Sequence, residues 1–560
     1  MDGLFSLIGN YFSWNVDNPN EYTTTENGDK ALVTSGSKCL NFFTRITRSA
    51  NINDYVTAFF EAMMEDYDTA IKLLLNLRDI RGGKGEKLIP IVLMVCLKLA
   101  FPANVYSDIL KNFIDYGCWK DLLRIIEIHN RLCLIIDPLC DTFDNTMECQ
   151  MFANQLALDY QAYQVCTDSK VAISLCAKWA PGERSHFNQI PIKAANKIMK
   201  MMNQTPKEYR VMLSDLRAHL NILERLMSTG QYELIDFKSI PSIAMKNMKK
   251  SFSRDTNATG VVSESRTNLH LSYSEYLKKL SAGETKVNVK GIQPHELVST
   301  YLRKSIDLDP LVEAQWNTLV QKTREAGSFS NTIAIVDTSG SMDGQPLEVA
   351  VALGILVAEC SDSADLKVLT FNTKPRWHHI EGSTLQEKVK CMDYKDWGGS
   401  TDLRASFQLI LDDAIERKLD PEDMISSLII FTDMQFDSAD GDKWESTFET
   451  VTKLFNEQGY ELPKIVCWNL RTSDSKSLPI DKNEEGYIML SGFSAELLKH
   501  VLNGDDITPM TMMMTILEPY NVEHDYDDIV MNKRNFTFAQ LTTAVANSAI
   551  KKGVKPVNNI

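Results

Sequence analysis

The sequence predicts an α + α/β multidomain protein: an irregular helical-repeat N-terminal domain, then a doubly wound, mostly parallel α/β domain. Three observations predict it. The chain has 560 residues, too many for one hydrophobic core. Apolar residues in the first half recur at helical spacing. After Asn331 the rhythm changes, and short apolar runs alternate with helical stretches.

Residues 1–37 form an N-terminal segment. Its opening, "MDGLFSLIGNYFSW", has no basic leader before its apolar residues, so no secretory signal is expected. Residues 38–325 read as HEAT-like helical repeats. Tyr55, Phe59, Met63, Tyr67, Ile71 and Leu75 stand four apart, along one helical face. "RGGKGEK" punctuates this pattern, and the apolar run Leu88 to Phe101 resumes it. That run contains Lys98 and falls short of the about 20 residues a membrane span needs, so a buried helix is expected. Helix pairs joined by short glycine-containing turns suggest a stacked array without a fixed period. "RDTNATGVVSESRTN" predicts an exposed polar loop near 255–275.

Residues 331–520 form the second domain. "TIAIVD", "DLKVLTFN", "SSLIIFTD", "PKIVCWNL" and "GYIMLSG" are strands, and "RWHHIEG" closes a hairpin with the second across Lys374–Pro375. "PLEVAVALGILVAEC" is a helix, with Pro346 suited to its first turn. Near-continuous apolar strands between helices indicate a parallel sheet covered on both faces, with its sites at the carboxyl ends of the strands. Residues 521–560 suggest an acidic loop and a final helix.

Charge is unevenly distributed. The net charge is −15, and residues 331–560 carry 21 basic against 37 acidic side chains. Residues 184–254 reverse the balance, with 13 basic and 5 acidic. The acidic part suits a divalent cation, and the basic stretch suits either phosphates or plain solvation. Eleven cysteines, none in a CxxC pair, exclude zinc ribbons and point to reduced thiols in a cytoplasmic or nuclear setting.

Oxygen-bearing residues gather at three of the expected strand ends. "DTSGSM" supplies Asp337, Ser339 and Ser341, and "DWGGSTDLRASF" supplies Ser400, Thr401 and Asp402. "FTDMQFD" supplies Asp433, with Asp437 beyond. All are hard donors, and magnesium accepts hydroxyls with a few carboxylates while keeping waters. Position 339 is Ser where an aspartyl-phosphatase needs Asp, and neither GxGxxG nor GxxxxGK[ST] occurs. The plainer alternative is a serine-capped helix start with no ion.

"DTSGSM", "GGSTD" and "FTD" together resemble the metal-ion-dependent adhesion site of von Willebrand factor A domains. The resemblance implies hydroxyl ligands from Ser339, Ser341 and Thr401, and direct or water-mediated ligation by Asp337 and Asp433. It also implies an open position that takes an acidic residue from a partner protein. "NEYTTTENG", "LRDIRGGKGEK" and "YGCWKDLL" resemble the Ro-type, or TROVE, RNA-binding family, which joins helical repeats to an A domain. "YRVMLSDLRAHLNILE", "IPSIAMKNM", "FTDMQFD" and "CWNL" are similar to a related two-part family of unknown function. These segments cover most of residues 20–520.

The resemblance makes structured or single-stranded RNA a candidate partner. The expected anion contacts are Arg81, Lys84 and Lys87 around the glycine-rich turn, then Lys193, Lys197 and Lys200, then Lys246, Lys249 and Lys250. The alternative role is a metal-dependent protein–protein adaptor without RNA. Adjacent His378 and His379 on a strand point to opposite faces and share no metal. No nucleophile–base arrangement emerges, so an enzyme is not expected.

Overall fold

A computed structural model describes residues 22–521. It leaves out positions 137–144, 166–170, 184–188, 257–259, 305, 328, 330, 364, 372–373, 393–396, 398–401, 437–446, 473–476 and 502–507. Thr401, Ser400, Asp437 and the expected C-terminal helix therefore lie outside the described residues.

The first half is helical. Ile52–Glu65 packs against both Lys38–Arg45 before it and Tyr67–Arg78 after it. The stretch read as one apolar face is two helices. Asp66 closes the first, and its side chain accepts from the Thr69 backbone N–H at 3.1 Å to cap the second. Tyr55, Phe59, Met63, Ile71 and Leu75 remain buried on either side of that break. The apolar run forms Ile89–Ala100, whose residues Ile89 to Leu97 are all buried. Among the described residues no helix is long and apolar enough to cross a membrane.

One expectation is corrected here. The polar loop placed near 255–275 is helical from Glu264, in Glu264–Ser281. Leu269, Tyr273, Tyr276 and Leu280 recur at steps of four, three and four and are buried. Ser272, Ser274, Glu275, Lys278 and Lys279 between them mask this stripe in the composition.

A hairpin of β1 (Tyr22–Thr24) and β2 (Lys30–Leu32) precedes the helices. The second half carries a six-stranded sheet of β3 (Thr332–Asp337), β4 (Lys367–Phe371), β5 (Arg376–His379), β6 (Ser427–Thr432), β7 (Lys464–Asn469) and β8 (Tyr487–Ser491). The order is β5-β4-β3-β6-β7-β8, parallel throughout except for the antiparallel β4–β5 hairpin. Strand order reverses between β3 and β6, so their carboxyl ends flank the switch point of the sheet. His378 is buried between Thr370 and the Cys391 carbonyl, while His379 is exposed beside Asp365.

The helix Gln345–Glu359 is buried along almost its whole length, because it lies between the sheet and the short helix Pro294–Val298. A helix apolar all round needs such double cover. Gly354 permits the approach: a Cβ there would stand 2.7 Å from Val336 Cγ2 on β3.

The halves share one continuous core. Lys84, expected at an anion surface, is instead buried between them at 2% exposure. Its ammonium donates to the Phe43 carbonyl and, at 2.7 Å, to Ser491 Oγ on β8. Burial pushes this amine down to about 7 against the weaker opposing pull of Glu86. Between pH 7 and its ordinary range the unfolded chain holds a proton that the folded chain releases, so this group adds stability as pH rises. Ser491 Oγ also donates to Phe43 O at 2.6 Å, so Lys84→Met leaves the carbonyl partnered. We expect Lys84→Met to be more stable than wild type below pH 7, with the difference shrinking by up to about 1.4 kcal/mol per pH unit toward pH 9. Denaturant titrations at pH 6, 7.5 and 9 measure it, and a pH-independent difference contradicts it.

Candidate metal centre and its cationic surroundings

Asp337 is the last residue of β3, and Asp433 directly follows β6. The two strands are hydrogen-bonded neighbours in register, Val336 beside Phe431, so both carboxylates meet at the switch point. The turn after β3 brings Ser339 and Ser341 to the same place, with their hydroxyl oxygens 3.1 Å apart. Asp337 is fully buried. Its Oδ1 accepts from the Ser339 backbone N–H at 2.9 Å, and its Oδ2 from Thr432 Oγ1 at 2.8 Å. Asp433, 2% exposed, accepts from the Gln435 backbone N–H at 3.3 Å and bonds the Ser341 side chain.

The electrostatics fit a cation. Burial, and then the charge of Asp433, push the Asp337 carboxyl up to about 7. Burial also raises Asp433, against the Ser341 hydrogen bond and the guanidinium of Arg471. Two desolvated carboxylates facing each other favour a divalent ion between them. The oxygen set of two carboxylates and two hydroxyls has the hardness magnesium prefers. Among the described residues no three or more His, Cys, Asp and Glu side chains form a metal cluster. Asp402, next to Thr401, caps the helix Leu403–Arg417 by accepting from the Ala405 N–H at 2.9 Å.

Several neighbours of this site carry no sequence signal. Arg471 follows β7, and its guanidinium donates to the Ser341 carbonyl. Met434, between Asp433 and Gln435, has φ +64, a left-handed conformation unusual outside glycine. The N-terminal hairpin loop pins that turn. Thr25 Oγ1 donates to the Phe436 carbonyl at 2.6 Å, Asn27 Nδ2 donates to the Gln435 carbonyl at 2.8 Å, and the Glu26 N–H donates to Gln435 Oε1 at 2.7 Å. Only a long-range contact map reveals such a link across some four hundred residues.

The predicted cations separate into groups. Lys84 faces inward, as described. Lys249 pairs with Asp309, and Lys197 donates to Thr146 Oγ1 at 2.6 Å. Arg81 donates to the Asp115 carbonyl at 2.8 Å, and Lys193, Lys200 and Lys250 are exposed. Lys87 and Lys246, distant in sequence and exposed, both act on the charge of His295. Burial, and then Arg48, Lys246 and Lys87, push that imidazole down to about 3. Its Nε2 lies 3.1 Å from the Gln345 amide, at the start of the helix after the serine turn. Arg48 and Arg124 act on Lys87, and Arg124 acts on Lys120. Lys120 and Arg124 stand on the helix Trp119–Ile136 and Arg48 in the turn between Lys38–Arg45 and Ile52–Glu65, where no sequence pattern singles them out, so sequence reasoning missed them.

Comparison with known proteins covers both halves. Residues 25–135 and 146–329 match the "Domain of unknown function (DUF2828)", and residues 331–545 match the "Domain of unknown function (DUF7788)". The chain is also 52% identical over 549 residues to "Uncharacterized protein L728" of Acanthamoeba polyphaga mimivirus, spanning 96% of this chain and 95% of that protein. The chain therefore belongs to the DUF2828 family, with a DUF7788 domain following its helical half.

Proposed function

We propose that this protein is a magnesium-dependent binding protein. In this reading its α/β half is a von Willebrand A-type domain and its helical half a TROVE-like RNA-binding domain. The observation that carries the reading is the buried pair Asp337 and Asp433, set on adjacent strand ends with the Ser339 and Ser341 hydroxyls between them. Asp337, Ser339, Ser341 and Asp433 would hold the ion, and Thr401 would complete the set. Two carboxylates balance a divalent charge and leave the ion able to accept one more anionic oxygen. In the adhesion-site reading that oxygen comes from an acidic partner protein. Binding rather than catalysis is the proposed role, in a cytoplasmic or nuclear setting. Cys39, Cys96, Cys118, Cys149, Cys176, Cys360, Cys391 and Cys467 are free.

A second reading, a metal-dependent adaptor without RNA, draws support from Lys84, Lys197 and Lys249. Three cations expected to meet phosphate are engaged inside the chain. Filter binding with labelled structured and single-stranded RNA at two salt concentrations decides between them. The RNA reading expects binding that weakens steeply with salt, and no binding at low salt eliminates it.

The metal reading has its own test. Wild-type protein should gain about 2.7 kcal/mol of stability when magnesium reaches a hundred times its dissociation constant. Asp337→Asn should lose that gain. In EDTA at neutral pH the same variant should melt above wild type, because it removes one of two repelling buried charges. Thermal melts with magnesium and with EDTA check both, and an unchanged magnesium shift in the variant places the ion elsewhere.

A further inference from the structure

A third strand end meets the metal loops. β7 lies beside β6 with Asn469 opposite Thr432, and the Leu470 N–H donates to the Thr432 carbonyl at 2.9 Å. The next residue, Arg471, donates through its guanidinium to the Ser341 carbonyl. That carbonyl belongs to the residue whose hydroxyl stands 3.1 Å from that of Ser339. The arginine is therefore attached to the serine turn itself.

Its backbone is held from the helical half. The Arg471 N–H donates to Asn469 Oδ1 at 3.0 Å, and Asn469 Nδ2 donates to the Thr44 carbonyl at 3.0 Å. The Thr472 N–H donates to Thr47 Oγ1 and Ser49 Oγ, each at 2.9 Å, and Thr472 Oγ1 donates to the Arg45 carbonyl at 2.8 Å. The chain before and after Arg471 is fixed, so its side chain loses little freedom on meeting a ligand.

Bracing a carbonyl needs only a neutral donor. Arg471 brings a charge and a planar fork of N–H groups, and it is exposed. Among the described residues only the Ser341 carbonyl accepts from that fork. Burial raises the Asp433 carboxyl, the charge of Arg471 opposes that rise, and the charge of Glu26 adds to it. A divalent ion balances Asp337 and Asp433, and Arg471 balances Glu26. Such a site favours a single carboxylate over a phosphate dianion.

Resting on the metal reading above, we infer that Arg471 is the second anchor for the incoming ligand, so that a carboxylate bridges the ion and the guanidinium with one oxygen on each. The fork matches carboxylate geometry, which a point-like ammonium does not. The site is then a two-point receptor for an acidic side chain, and the helical half holds one of its points in place.

The test uses the full chain loaded with manganese, acetate as the probe, and sulfate as a dianion at the same ionic strength. Calorimetry first measures manganese alone. Arg471→Gln should bind it about three-fold tighter than wild type, because a like charge beside the ion is gone. Water-proton relaxation then follows acetate as it displaces water from the bound ion. Arg471→Gln should need about five-fold more acetate for half-displacement, since it loses a charge-assisted hydrogen bond. Arg471→Lys keeps the charge without the fork and should fall between the two. Sulfate should displace less water from wild type than acetate does at equal concentration. Opposite shifts in the two affinities cannot come from misfolding, which weakens both. If wild type binds no manganese, the metal reading fails and takes this inference with it. If manganese binds but acetate acts equally on wild type and Arg471→Gln, the second anchor is wrong while the metal reading stands. Loss of both affinities together makes Arg471 a brace of the serine turn and overturns the inference. Wild-type acetate binding in Arg471→Lys, or stronger displacement by sulfate, overturns the bridging carboxylate.

Discussion

Two carboxylates brought together in a dry space constrain the rest of this fold. The register between β3 and β6 sets Val336 beside Phe431, and a one-residue slip of β6 would turn each of its side chains to the other face of the sheet. Asp337 and Asp433 therefore meet at the sheet's switch point whether or not anything compensates them. The surroundings supply partial compensation: hydroxyls from Ser341 and Thr432, backbone N–H groups from Ser339 and Gln435, and one guanidinium from Arg471. None of these matches a divalent charge. A turn that holds Met434 at φ +64 persists because the Thr25–Asn27 segment bonds the residues after it.

The same demand for compensation recurs wherever the two halves touch. Glu359, at the end of the doubly covered helix, accepts from Trp316 Nε1 at 2.7 Å and pairs with Lys388 at 2.6 Å. Glu313 accepts from the backbone N–H groups of Leu385 and Gln386. Lys84 reaches only neutral oxygens, and its amine descends toward neutrality instead. These polar contacts sit inside an apolar core, where a wrong docking would leave a charge unpaired. Hydrophobic burial makes the interface adhere, and the polar contacts set its geometry.

Legibility followed the range of the interaction. Local periodicity was enough for Ile89–Ala100 and the apolar strands, and "DTSGSM" marked a strand end by composition alone. Short-range capping already hid more: Asp66 divides an apparently continuous helical face, and no count of apolar spacing reveals it. The stripe in Glu264–Ser281 was obscured because polar residues outnumber the four that matter. Long-range partners were not legible. Nothing in "RGGKGEK" distinguishes Lys84, which points into the core, from Lys87, which does not. Nor does the run of three lysines in "MKNMKK" show that Lys249 pairs with Asp309 while Lys246 reaches the Glu296 carbonyl. Charge in a sequence indicates what a region can attract, and tertiary contacts decide which charges remain available.

A boundary near residue 330 describes the order of the chain better than the molecule's mechanics. Leu32 pairs with Leu478 through two backbone hydrogen bonds, so the N-terminal hairpin lies against the α/β half. In the other direction, the helix Pro509–Leu517 packs on both β8 and Tyr67–Arg78, and Tyr520 donates to Asp79 at 3.0 Å across the glycine-rich turn. Each half thus lends an end segment to the other. The loop that bonds Gln435 and Phe436 precedes the helices, and the tyrosine that steadies the turn before Lys84 lies beyond the sheet. A protein built this way cannot loosen one half without disturbing the other's polar contacts.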